Sequence, residues 1–173
     1  MKRTIVIFSL AFLILFSANT FAQKPVKLGH IDFAALYQLM PGMDSAQKKY
    51  QEYGQSLKAQ MDAMQGEYES KMSDYQASSA TLSDLIKKTK EKEIVDLQER
   101  IQAFQQSAQE SLQKKEQELT EPIINKARLA VKEVGKENGF TYIFNSAETL
   151  GNLIYFDGGE DVLPLVKKKL VLK

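Results

Sequence analysis

Past Pro41-Gly42 the chain runs to Pro122, roughly 80 residues, without a proline and with only two glycines, Gly54 and Gly66. Nearly every other residue in the run favours or tolerates a helix. Residues on either side read as strands and turns. A chain that leaves a small β-containing body as helix and returns to it as helix makes an arm.

Within the run, Ala46, Tyr50, Tyr53, Leu57, Met61, Met64, Tyr68, Met72 and Tyr75 recur in steps of three and four that repeat every eleven residues. Eleven residues in three turns is about 3.67 per turn, close to a relaxed α-helix, so these nine form one narrow stripe on a nearly straight helix. Gln47, Lys48, Gln51, Glu52 and Lys58 fall mostly off it, as a solvated face does. The pattern fails at Ser78-Ser79-Ala80-Thr81, and Thr81-Leu82-Ser83-Asp84 has capping-box spacing, which predicts a second helix from there. Its stripe is read as Leu85, Ile94, Leu97, Ile101, Phe104, Ala108, Leu112, Leu119 and Ile123. The arm is thus expected over residues 44–121 as an antiparallel helical hairpin with its tip near 78–84. Lys87, Lys88, Lys90 and Lys92 make a basic cluster close to that tip. Gly54 and Gly66 are either soft points or tolerated surface glycines.

At the amino end, Val26 to Asp32 reads as a strand, with Val26 and Leu28 on one face and Gly29 and Ile31 on the other. Asp32 is placed to cap a short helix over Phe33 to Met40, which Pro41-Gly42 stops. At the other end the second helix is expected to continue, kinked, past Pro122 and to stop at Asn138-Gly139. Phe140 to Phe144 and Leu153 to Phe156 read as strands, and Asp161 to Leu170 as a last helix with Pro164 in its first turn. Residues 23–43 and 122–173 together form the expected β-containing body. Three short strands and short helices make a poor core for one chain. The expected remedy is oligomerisation, with Val26, Leu28, Ile31, Phe140, Tyr142, Phe144, Ile154 and Phe156 as candidate oligomer-core residues.

Residues 1–22 read as a secretory signal: Lys2-Arg3, an apolar run from Ile5 to Phe16, and a small residue at Ala22 before cleavage at Gln23. There is no cysteine, which removes disulfides, thiol chemistry and a lipid-modified amino terminus. The chain has 23 basic and 22 acidic residues; loss of Lys2 and Arg3 leaves 21 against 22. That balance argues against a nucleic-acid binder. No catalytic set stands out. The only histidine, His30, lies in the first strand, and without cysteine or a second histidine no zinc site is expected. Gly135-Lys136 lacks the glycine spacing of a phosphate loop. No cofactor or metal is expected, and an enzyme is the least favoured class.

The signal, the strand Val26-Lys-Leu-Gly-His-Ile-Asp32, the helical arm, Leu119-Thr-Glu-Pro-Ile123, and Val134 to Phe144 with its Gly139 turn follow an order that resembles the Skp/OmpH family of periplasmic chaperones. The resemblance covers essentially the whole chain after residue 22. It implies a mostly α, α+β fold: a jellyfish-like homotrimer with a small β body and three helical tentacles around a cavity. It also implies an ATP-independent periplasmic holdase that keeps unfolded outer-membrane proteins from aggregating before insertion. Best-known members of that family are strongly basic, whereas this chain is near neutral once residues 1–22 are removed. Contacts from methionine, tyrosine and glutamine are therefore expected to outweigh electrostatic capture, and no lipopolysaccharide site carries over. Candidate client-binding residues are Met61, Met64, Tyr68, Met72, Tyr75, Leu82, Leu85 and Phe104. The other reading is a coiled-coil spacer or adaptor that binds a folded partner or, weakly, a membrane surface.

Overall fold

The computed structural model describes residues 26–147, 153 and 155–172. Seven elements follow one another: β1 (Leu28–Ile31), α1 (Phe33–Gln38), α2 (Met43–Ser78), α3 (Asp84–Glu137), β2 (Tyr142–Asn145), β3 (Glu160–Asp161) and α4 (Leu163–Leu170). Two helices dominate. At 1.5 Å per residue, the 36 residues of α2 span about 54 Å, and the 54 of α3 about 80 Å. They pack along each other as a hairpin, and the longer α3 carries on into the body.

Local chemistry sets the boundaries. Asp32 caps α1, its Oδ1 accepting from Ala35 N at 2.9 Å. Gly42, at φ 98°, turns the chain between α1 and α2 in a conformation that side chains rarely adopt. At the tip, Ser79 N still donates to Tyr75 O at 2.8 Å, and the chain then turns through 79–83. The capping box expected at Thr81 does not form. The Thr81 hydroxyl donates back to Ser78 O at 2.9 Å, and Ser83, in extended conformation, is the residue before α3. α3 runs unbroken through Pro122 and ends at Asn138, with Gly139 left-handed at φ 72° behind it.

The sheet has the order β2-β1-β3, and both pairings are parallel. The connection from β1 to β2 is the entire arm, a crossover that parallel pairing requires and here extends to an extreme length. The strand expected at Leu153–Phe156 is not seen among the described residues. Leu153, Tyr155 and Phe156 lie outside the sheet, Ile154 falls outside the described residues, and the third strand is the two-residue β3. Glu160 and Asp161 carry no strand pattern of their own; pairing with Gly29 and His30 defines them.

The chain does build a core by itself. Ile31, Leu36, Met40, Ala127, Ala130, Val134, Val162 and Val166 form one buried cluster drawn from β1, α1 and the turn after it, the last third of α3, and α4 with the residue before it. Gly29 lets it close: a Cβ there would meet Phe140 and Val162 side-chain atoms at 3.0 Å. Lys27 ties the rim, its ammonium 3.9 Å from the Phe140 ring centroid and 2.9 Å from Glu160. Asn145 Oδ1 accepts from Phe33 N at 3.2 Å and Ala147 N at 3.1 Å, joining the end of β2 to the start of α1. Lys169 of α4 reaches Glu133 and Glu137 of α3 at 3.0 and 2.5 Å. That double contact holds its pKa above the usual lysine value, chiefly through the Glu137 hydrogen bond.

Candidate functional site

Two surfaces stand out: the seam of the arm and one face of the sheet. All nine residues of the α2 stripe, from Ala46 to Tyr75, are buried or half-buried, and their helical neighbours are mostly exposed. On α3, Ile94, Leu97, Ile101, Phe104, Ala108, Leu112, Leu119 and Ile123 are likewise buried or half-buried. Leu85 does not belong with them. It is 75 % exposed, because the seam is phased by Ile94 and Ile101 and runs back in a step of seven to Lys87, two residues away from Leu85. Lys87 and Lys90 are half-buried there, their aliphatic stems extending the seam toward the tip. Leu82 is half-buried in the turn. Lys88 and Lys92 face solvent, and Lys92 is paired with Asp96 at 2.6 Å, which raises its pKa and offsets part of the basic cluster.

Met61, Met64, Tyr68, Met72, Tyr75 and Phe104 thus lie between the legs, half-covered by the opposite helix. An open surface groove of about 510 Å³ runs over the seam at Met64 and Phe104, lined by Gln60, Ala63, Met64, Arg100, Ala103, Phe104 and Ser107. Closer to the base, Tyr37, Met43, Ala46, Tyr50 and Leu119 line a smaller groove of about 240 Å³.

Polar groups also join the legs, and periodicity gave no sign of them. Lys71 Nζ lies 2.9 Å from Glu93 Oε2, and the Tyr75 hydroxyl donates to Glu91 Oε1. The hydrogen bond to Lys71 holds the Glu93 carboxyl below its ordinary value and lifts Lys71 above its own. Glu91 likewise raises the Tyr75 phenol. Lower down, Lys115 Nζ sits 5.7 Å from the Tyr53 ring centroid. A hydrophobic stripe finds a helix face but not which charges across a hairpin come level. Ile86 and Val95, 43 % and 50 % exposed, were missed as well; apolar residues off the stripe are the signal that marks them.

Pairing register fixes the second surface. Leu28 lies beside Tyr142 and His30 beside Phe144, and all four point away from the core. Tyr142 and Phe144 stack with centroids 6.1 Å apart, and the His30 ring lies 4.7 Å from that of Phe156. Val26, Leu28, Tyr142, Phe144 and Phe156 are all exposed. Two candidates for an oligomer core are placed otherwise. Ile31 is 2 % exposed within the chain's own core and Phe140 packs against that core, because alternation along β1 and the turn after Gly139 direct them inward. Ala22 and Gln23 lie outside the described residues.

A comparison with curated proteins gives no match. The family described as outer membrane protein (OmpH-like) matches residues 27–170. That match takes in the sheet, the whole arm and the closing helix, and the chain belongs to the OmpH-like family.

Proposed function

We propose that this protein is an ATP-independent periplasmic holdase chaperone. In this reading it binds unfolded outer-membrane proteins between its arms and keeps them from aggregating before they reach the membrane. Family membership supports the chaperone role in general. The observation that carries the mechanism is the half-covered methionine and tyrosine seam of the arm. Methionine adapts to irregular apolar partners, and tyrosine tolerates a wet surface. Such side chains on several arms hold an extended chain by many weak contacts, gaining affinity through effective concentration.

Residues 23–43 and 122–173 form the body and 44–121 the arm, and three bodies join to set three arms around one cavity. The exposed apolar side chains on one face of the parallel sheet support assembly, since parallel sheets are normally covered on both faces. Residues 1–22 act as a cleaved export signal. Near-neutral charge supports a grip that is not mainly electrostatic.

The test dilutes a urea-unfolded β-barrel membrane protein into buffer with and without a stoichiometric amount of purified protein. Suppressed light scattering without nucleotide is expected. Unchanged aggregation rejects the holdase reading, and capture of one native partner in its place favours a spacer or adaptor.

A further inference from the structure

A two-helix arm ordinarily frays from its free end, where fewest neighbours hold it. Here tightness runs the other way. Within the arm portion of α3 the buried residues are Ile94 and Leu97, at 8 % and 2 % exposed, and both lie in the half toward the tip. Both cross-leg polar pairs, Lys71–Glu93 and Tyr75–Glu91, stand beside them.

Toward the middle of the arm the arrangement loosens, and at the base Ala46 is buried again at 8 %. The open groove of about 510 Å³ leaves the seam at Met64 and Phe104 covered on one side only. Ala63 and Ala103 line it from opposite legs, and neither is long enough to fill it. Among the described residues, no side-chain hydrogen bond or ion pair joins the legs between Lys71–Glu93 and the Lys115–Tyr53 contact. Seam atoms facing this open groove lack protein dispersion partners on that side. Gly54 and Gly66 flank this stretch of α2, each weakening the helix.

We propose that the arm opens in its middle, beneath a locked distal segment. The legs part between Leu57 and Met64 on α2 and between Arg100 and Ser111 on α3, while Lys71 to Leu97 moves as one piece. Opening there uncovers Met64 and Phe104. Their use by an unfolded client rests on the holdase reading; the opening itself does not.

Hydrogen exchange followed by mass spectrometry on the purified protein, without client, tests it. Peptides over 57–64 and 100–111 are expected to exchange at least about tenfold faster than those over 71–78 and 86–97. Ala103→Leu, which fills the groove, is expected to slow mid-arm exchange. The double variant Lys71→Met/Tyr75→Phe is expected to speed distal exchange and leave the middle unchanged. Exchange rising steadily from base to tip overturns the proposal, as does a mid-arm rate indifferent to Ala103→Leu. Because no client is present, these outcomes are independent of the aggregation assay, and failure of either reading is seen separately.

Discussion

Glycine has opposite meanings in the body and in the arm. At Gly29 an added methyl group would sit 3.0 Å from both Phe140 and Val162, between a strand and the core it closes. Overpacking of this kind costs about 1–3 kcal/mol. Gly29→Ala should therefore lower the urea midpoint of unfolding without changing the slope. At Gly66 a Cβ meets nothing within 4 Å, and at Gly54 it would make an ordinary 3.8 Å contact with Leu112. Both lie within α2 and neither has a positive φ. Gly54→Ala and Gly66→Ala should each stabilise the arm by up to about 1 kcal/mol, read as a higher thermal midpoint by circular dichroism. A melting point unchanged in both would mean that the arm unfolds apart from the transition being measured. Sequence alone supplied both possibilities for these arm glycines, but not the space around them, which decides the sign.

On the scale of elements, the cross-leg pairs give the distal arm a pH window. Glu93 has a depressed pKa, so its contribution is present above its ordinary value of 4.5 and is lost as pH falls through the lower folded value. Tyr75 and Lys71 are raised, so theirs are present below 10.0 and 10.5 and are lost as pH rises past the folded values. With spin labels at Ser73→Cys and Lys88→Cys in this cysteine-free chain, the leg separation should hold steady from about pH 6 to 9 and broaden in acid below 4.5. A distribution that does not respond to acid would show that the Glu93 carboxylate is not holding the tip. The α2 stripe was legible because all nine of its residues share one phase, and packing follows phase. Leu85 is apolar and close to the turn, as a stripe residue would be, yet it falls off the seam because the seam is phased by Ile94 and extended by lysine stems. The third strand was hidden for a different reason. Glu160 and Asp161 are strand only by pairing with β1, and nothing in two acidic residues announces it.

For the molecule as a whole, the central question is what covers the sheet. One face closes on a core that the chain supplies unaided, which the sequence understated because nothing in the helix past Pro122 marks Ala127, Ala130 and Val134 as the missing half of a body. The other face presents Leu28, Tyr142 and Phe144 in register, with Phe156 beside them. Removing a large apolar side chain from water is worth about 1.5–3 kcal/mol, and in a symmetric assembly the loss of one such contact recurs in every protomer. Phe144→Glu should therefore disperse the proposed assembly, seen by sedimentation velocity as a fall in mass. The helical signal should persist, since Phe144 is exposed in the single chain and the intrachain core does not include it. Ile31→Glu places its charge inside that core and should abolish folding as well as assembly. If Phe144→Glu keeps the parent mass, the sheet face is not the interface. If it unfolds the protein as Ile31→Glu does, body and assembly are a single cooperative unit.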